Sequence, residues 1–202
     1  MEPWREAVWA AVPAGTRPER LDARRDFLLA HAGRGSRVLD LGCGDGTFAA
    51  LLLEAGAQVT CADVAARALE RAREAAPGAA FTLLGEGGEL PWDEDAFDLV
   101  WCGETLEHVA DVAGLLAEVR RVLAWGSALL VTTPNLPRIG VALEALRGAP
   151  LRRRFDPRAD HLRFFTAATL AGMLRDAGFA DVDVRALGGS PWARHALHAV
   201  AR

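Results

Sequence analysis

Three short stretches hold the residues best suited to chemistry. In the first, Asp40-Leu-Gly-Cys-Gly-Asp-Gly46, glycines at 42, 44 and 46 leave the backbone bare, so a ligand can approach the main chain closely. Phe48 to Glu54 then have helical composition, and a helix starting there offers unpaired N–H groups and a positive dipole end to an anionic ligand group. Asp40 sits in an otherwise apolar run, where a carboxylate is costly unless the loop donates hydrogen bonds to it or a cationic ligand faces it. In the second stretch, Asp63 follows Gly44 by 19 residues (63 − 44) and ends another apolar run. A short, fixed acid beside a glycine loop accepts hydrogen bonds from both hydroxyls of a ribose; the plainer reading is a helix N-cap before Val-Ala-Ala-Arg-Ala-Leu. The third stretch is Gly103-Glu-Thr-Leu-Glu-His-Val109. The unperturbed pKa of a histidine is near neutral, so His108 is the best candidate for a base that takes a proton from a hydroxyl or amine. Glu104 and His108 are spaced to share one helical face with Glu107 beside them; the plainer reading is that Glu107 and His108 only fix the loop.

These residues need a scaffold, and the apolar pattern supplies one. Five runs read as strands: Arg37–Leu41, Gln58–Asp63, Ala80–Leu84, Phe97–Cys102 and Ser127–Thr133. They lack period-two alternation, which predicts strands covered on both faces in a parallel sheet flanked by helices. Helices separate them, one ending at Pro77-Gly78 and another spanning about Asp111 to Leu123. Upstream, Trp4, Val8, Trp9 and Val12 form one apolar stripe, and Pro18 opens a second helix over Glu19–His31. Downstream, a helix starting at Thr166 places Leu170, Met173 and Leu174 on one face and stops at Gly178. Asp181–Leu187 and His195–Ala201, joined through Gly188-Gly-Ser-Pro191, predict an antiparallel hairpin at the sheet edge. The expectation is one α/β domain over residues 1–202, with residues 1–36 as an N-terminal helical cap and no internal repeat.

Composition narrows the function. Hydrophobic residues make up 51% and charged residues 25%, which excludes a disordered chain. No apolar run reaches the ~20 residues of a membrane span, and the N-terminus lacks the layout of a secretory signal, so a cytoplasmic protein without membrane partners is expected. A net charge of −4 with no extended basic field argues against a dedicated nucleic-acid binder. All 23 basic residues are Arg and Tyr is absent, so neither a Lys nor a Tyr base is available. Cys43, Cys61 and Cys102 have no C-x-x-C spacing, but they fall near the ends of three strands that would be neighbours. A thiol cluster or metal site is one reading and simple packing the other.

The order Asp40-x-Gly-x-Gly-x-Gly46 resembles the first motif of class I S-adenosylmethionine-dependent methyltransferases. The dinucleotide pattern G-x-G-x-x-G fits less well, because its third glycine would fall on Thr47. Gly85-Glu-Gly-Gly-Glu-Leu-Pro-Trp-Asp-Glu-Asp-Ala-Phe-Asp-Leu-Val100 is similar to a run found in type-11 and related small-molecule methyltransferases, and Leu106-Glu-His-Val109 to their next signature. Arg17-Pro-Glu-Arg-Leu21 resembles an element before the first strand of ubiquinone-pathway O-methyltransferases.

The resemblance implies a doubly wound, mostly parallel sheet of seven strands in the order 3-2-1-4-5-7-6, with S-adenosyl-L-methionine as cofactor and methyl transfer to a small-molecule acceptor as activity. It makes Asp40, Gly42, Cys43, Gly44 and Gly46 the loop beside the cofactor, Asp63 the ribose acid and Val64 a neighbour of the adenine. Glu86 matches the acid that binds the adenine amino group (Glu here where the family has Asp), and Gly87 the residue whose backbone contacts the ring. Gly103 borders the methionine part, and Arg20 reaches its carboxylate unless it is a solvated surface Arg. His108 is the catalytic candidate. The ubiquinone-type enzymes have been associated with a divalent metal near a cluster like Glu104, Glu107 and His108, although no metal ligand is assigned here. Residues 136–165 correspond to a substrate lid. Within it Arg152, Arg153, Arg154 and Arg158 either grip an anionic acceptor or are simply solvated, and His161 either packs or adds a polar group to the acceptor pocket. Three other readings stay open: an NAD-dependent dehydrogenase, a non-catalytic adenosylmethionine binder and an RNA methyltransferase. The last lacks the Asn/Asp-Pro-Pro-Tyr motif of the usual amino N-methylating enzymes.

Overall fold

The computed structural model describes residues 4–13, 15–85, 88–148, 152, 156, 160–190 and 194–202. Two helices, α1 (Trp4–Ala11) and α2 (Leu21–Leu29), precede β1 (Arg37–Leu41). The alternation continues through α3 (Thr47–Glu54), β2 (Gln58–Asp63), α4 (Ala66–Ala75), β3 (Ala80–Leu83) and β4 (Phe97–Gly103). A 3-10 turn (Leu106–His108), α5 (Val112–Val122), β5 (Leu123–Pro134) and α6 (Arg138–Arg147) follow. The chain then adds α7 (Ala167–Asp176), β6 (Val182–Leu187) and β7 (Ala196–Ala201).

The sheet has seven strands in the order β3-β2-β1-β4-β5-β7-β6. The first five in that row pair in parallel, and β7 runs antiparallel to both β5 and β6. The two closing strands therefore form the expected hairpin, with β7 inserted against β5 and β6 left at the edge. The absence of alternation in β1 and β4 has the anticipated cause, since both faces of the sheet are covered. Leu39, Leu41, Val100 and Val131 pack with α5 and α7 on one face. Val38, Val59, Leu99, Trp101 and Leu130 pack with residues of α2, α3 and α4 on the other.

Helix starts follow local chemistry. Asp111 accepts from Gly114 N at 2.9 Å to cap α5, and Thr166 and Thr169 form a reciprocal capping box at α7. Helix α4 has no side-chain cap of its own. Glu6 of α1 supplies one from 60 residues upstream, its carboxylate accepting from Ala66 N and from Arg67 N at 3.3 Å.

Two element starts depart from expectation by two residues or more. Helix α2 starts at Leu21 rather than Glu19, because Arg20 takes a left-handed conformation with φ 52° and ends the helical path. Strand β5 starts at Leu123 rather than Ser127. Leu123 pairs with Phe97, and a register shift before the Leu99–Ala128 pair takes up the extra residues in a bulge at Gly126, φ 79°.

Candidate active site

The site is a cavity of about 560 Å³ at the carboxyl ends of β1, β2 and β4, where open α/β sheets hold ligands. Its floor includes Leu41 and Gly42, and Val8, Trp9 and Val12 bring α1 into its lining. Asp63, Val64 and Leu84 stand on one side, and His108, Val109 and Leu162 on the other.

The glycine loop owes its composition first to its own chain. Gly42 has φ +74°, and a Cβ there would fall 2.5 Å from Thr105 Oγ1. Gly46 has φ +80°, and a Cβ would meet the backbone of α4 at Ala72 Cα, 2.7 Å away. Between them Gly44 lies under the indole of Trp9, which Arg71 holds by donating to the Trp9 carbonyl at 3.0 Å. The expected open amides at the start of α3 are partly used, since Asp45 Oδ1 accepts from Thr47 N at 3.1 Å and from Thr47 Oγ1 at 2.7 Å. Asp63 ties the loop to β2: Oδ2 accepts from Gly44 N at 3.0 Å and Oδ1 from Ala65 N at 2.9 Å. It thus braces the loop and the entry to α4 together. Burial raises its carboxyl and these amide bonds offset part of the rise. A carboxylate has about four lone-pair positions, so two remain for a diol in the cavity.

The ends of β4 and β5 differ in kind. Asp40 is only 2% exposed and its Oδ2 has no partner. Burial pushes the group up to about 7, opposed by Arg24 and reinforced by Asp63 and Asp45. Glu104 lines the cavity from a left-handed backbone, φ 57°, and its Oε2 accepts from Arg20 Nη2 at 2.7 Å. Among the described residues the buried side-chain atoms without a partner are Arg20 Nε, Arg24 Nε, Asp40 Oδ2, Glu104 Oε1, Glu107 Oε1 and Thr132 Oγ1. All belong to α2 or the residue before it, the ends of β1 and β5, or the chain just after β4. A native interior rarely leaves so many polar atoms unmet in one place, and of these residues Glu104 reaches the cavity wall. The acceptors suit a cationic group and the guanidinium donors an anionic one.

His108 lies in the 3-10 turn, and its Nδ1 is 3.0 Å from the carbonyl oxygen of Asp160. A carbonyl only accepts, so Nδ1 carries the hydrogen and Nε2 keeps its lone pair. Burial lowers the group's pKa, which favours the neutral ring. Arg5 of α1 donates to the His108 carbonyl, and the His161 ring packs edge-on at 4.8 Å. Glu107 is buried. Its Oε2 accepts from Thr133 Oγ1 at 2.9 Å, its carbonyl accepts from Leu162 N and Arg163 N, and burial followed by repulsion from Glu104 pushes its carboxyl up to about 8.

The expected shared face of Glu104 and His108 does not form, because Glu104 precedes the turn and is pulled onto Arg20. Glu107, His108 and His161 instead bring one ligand atom each within 4.8 Å of one another. The cysteines do not converge. Cys43 and Cys61 are buried on one face of the sheet, and Cys102 on the other. All three are free thiols in the core.

Of the residues singled out from sequence, Gly42, Asp63, Val64 and His108 line the cavity. Asp40, Cys43, Gly44, Gly46, Gly103 and Arg20 are not part of its lining, and Cys43 is a packing residue whose amide is spent on Ala62 O at 3.1 Å. Glu86, Gly87, Arg153, Arg154 and Arg158 lie outside the described residues. Gly85 and Gly88, on either side of the first two, line the cavity. Sequence reasoning missed Arg24, Thr105, Trp9 and Asp160 as parts of the site. Arg24 carried a readable signal: with Leu21 and Leu28 it occupies positions i, i+3 and i+7, so a charge stands in the buried stripe of α2.

Comparison with known proteins agrees with this geometry. A family model described as a methyltransferase domain matches residues 14–184. The ubiquinone biosynthesis O-methyltransferase of Xanthomonas oryzae pv. oryzae (strain PXO99A) is 34% identical over 188 residues, covering 89% of this chain and 76% of that protein. Two solved structures share the fold at 24% identity. One is an S-adenosylmethionine-dependent methyltransferase from Mesorhizobium loti (TM-score 0.68; 90% of this chain, 96% of that one). The other is the Burkholderia thailandensis 1,6-didemethyltoxoflavin-N1-methyltransferase with bound 1,6-didemethyltoxoflavin and S-adenosylhomocysteine (TM-score 0.67; 89% and 76%). With sheet order and family match in agreement, the chain belongs to the S-adenosylmethionine-dependent methyltransferases.

Proposed function

We propose that this enzyme methylates a hydroxyl or amine of a small cytoplasmic metabolite, with His108 as the base. The observation that carries this reading is the Nδ1 contact to the Asp160 carbonyl, which leaves Nε2 unprotonated on a residue lining the cavity. When bound, the cofactor supplies a methyl carbon already activated by its sulfonium, so the chain's task is alignment and exclusion of water. Asp63 and Val64 hold the nucleoside end, and Glu86 and Gly87 are its further candidates. Arg20, Gly103 and Asp40 face the amino-acid end. His108 receives the acceptor's proton at Nε2 while the Asp160 carbonyl fixes the ring. Val8, Trp9, Val109 and Leu162 give the acceptor end apolar walls.

On this reading the chain works as one domain. Residues 1–36 close the cavity through α1, and 136–165 act as a lid through Asp160 and Leu162. No helix among the described residues is long and apolar enough to cross a membrane. The net charge of −4 favours a metabolite over a nucleic acid.

Calorimetry with S-adenosylmethionine and NADH, followed by a metabolite screen with labelled methyl donor, tests the reading; binding of the first ligand and not the second is expected. His108→Ala should lower kcat about 100-fold with S-adenosylhomocysteine affinity within about twofold. Undiminished turnover with the true acceptor removes the base role. Because the imidazole's pKa is lowered, wild-type rates should hold to below pH 6.5 before falling with acid.

A further inference from the structure

Among the described residues that line the cavity, Arg5 alone carries a fixed positive charge. It projects from α1, and its Nη2 donates to the His108 carbonyl. Of its five N–H groups that carbonyl takes up one. Among the described residues no carboxylate forms an ion pair with it. Anchoring α1 does not require this charge. Glu6 already fastens the helix to Ala66 N and Arg67 N at the start of α4, and Arg71 holds the Trp9 carbonyl at 3.0 Å. A cation kept against apolar walls without a counter-charge costs free energy unless a ligand supplies the anion.

Its position selects the acceptor over the cofactor. Arg5 is bonded to the backbone of His108, and Val8, Val109 and Leu162 line the same cavity. Its charge bears on both Asp63 and His108, although burial is the larger influence on each. The adenosine part of the cofactor has no anionic group to offer it. Local charge then limits which anion fits. Arg20 meets Glu104 at 2.7 Å, but Asp160 Oδ2 stands 3.9 Å from His108 Nδ1, so the acceptor end already holds one carboxyl group. A phosphate faces more repulsion there than a singly charged carboxylate, whose planar oxygens also match a guanidinium.

We propose that Arg5 anchors the acceptor: the small molecule methylated beside His108 carries a carboxylate that pairs with this guanidinium. The proposal rests on reading the cavity as a methyl-transfer site and adds the chemical class of its acceptor. Because one hydrogen bond joins Arg5 to His108, an ion pair at the first fixes how the acceptor's hydroxyl or amine meets the second. Arg5 is thus a specificity-determining residue, contributed by a helix that precedes the sheet.

Calorimetry on the S-adenosylhomocysteine complex tests this with three probes: benzoate, its neutral counterpart benzamide, and phenylphosphonate, which bears more negative charge. Each is titrated into wild type, into Arg5→Lys, which keeps the charge, and into Arg5→Gln, which keeps only a donor for the His108 carbonyl. Wild type should bind benzoate at least about tenfold more tightly than benzamide, the range of a hydrogen-bonded charge, and more tightly than phenylphosphonate. Arg5→Lys should retain part of that preference and Arg5→Gln should lose it. S-adenosylhomocysteine affinity should stay within about twofold in all three proteins, which shows that they are folded. In turnover, the acceptor found with labelled methyl donor should be a carboxylic acid whose KM rises about tenfold in Arg5→Gln, with a smaller change in kcat. Absence of a benzoate preference in wild type, its survival in Arg5→Gln, tighter binding of phenylphosphonate, or an acceptor without a carboxylate each overturns the proposal. A parallel loss of S-adenosylhomocysteine affinity in both variants assigns Arg5 to the cofactor and overturns it too. Failure of wild type to bind S-adenosylhomocysteine removes instead the cofactor reading beneath it.

Discussion

Asp63 and Asp40 are buried carboxylates on neighbouring strands, 7% and 2% exposed, and they live under opposite conditions. Both oxygens of Asp63 accept backbone N–H groups, whereas Oδ2 of Asp40 meets nothing. The contrast extends to their surroundings. Around the turn from β1 to α3 the chain satisfies itself: glycines abut Thr105 and Ala72, Asp45 accepts from Thr47 N, and Asp63 clasps Gly44. Around the ends of β4 and β5, unpartnered donors and acceptors accumulate on Arg20, Arg24, Glu104, Glu107 and Thr132. One half of the site is completed by folding; the other is left with polar atoms unmet.

The largest effect should come from damaging the finished half. Gly46→Ala forces a left-handed backbone on a Cβ that also collides with the α4 main chain, and should cost about 3 kcal/mol of stability in denaturant unfolding. A loss below about 1 kcal/mol would show that the loop tolerates rearrangement and is less finished than it looks.

In the unfinished half the same kind of change should run the other way. Asp40 and Glu107 are pushed up to about 7 and 8, above their unfolded values, so the folded protein keeps protons that the unfolded chain has already lost. Their contribution is intact in acid and drains away as pH rises through 7 and 8, so the unliganded wild type should melt lower at pH 8.5 than at 6.5. Asp40→Asn should flatten that slope and stabilise the unliganded protein by about 1–2 kcal/mol at pH 8, while weakening S-adenosylhomocysteine about tenfold. Stabilisation without loss of ligand affinity would separate Asp40 from the binding function. The smallest effect belongs far from both halves: Thr166→Ala removes the α7 capping box and should cost about 1 kcal/mol with ligand affinity unchanged.

The finished half was the more legible in sequence, for a physical reason. Glycine spacing, strand hydrophobicity and an acid 19 residues on are local patterns, and their consequences are local: β1, β2, the loop and Asp63 lie where the sequence implies. The sheet order, by contrast, came from resemblance and not from periodicity. The unfinished half depends on contacts across long separations, such as Arg20 with Glu104 84 residues later, and Asp160 with His108. Spacing alone suggested a helical face for Glu104 and His108, but a left-handed residue at 104 broke it. The buried Arg24 was visible as a charge in an apolar stripe, yet only the three-dimensional arrangement shows how little faces it.

The acid at position 45 has a bearing on selectivity inside a living cell. Adenine compounds there mostly carry phosphoryl groups, and glycine turns that open helices are a common place for such groups to settle. Here that berth is filled from within by a negative side chain bonded to Thr47, so ATP-like or NAD-like molecules meet repulsion where they would look for a welcome. A nucleoside without phosphoryl groups is spared that penalty.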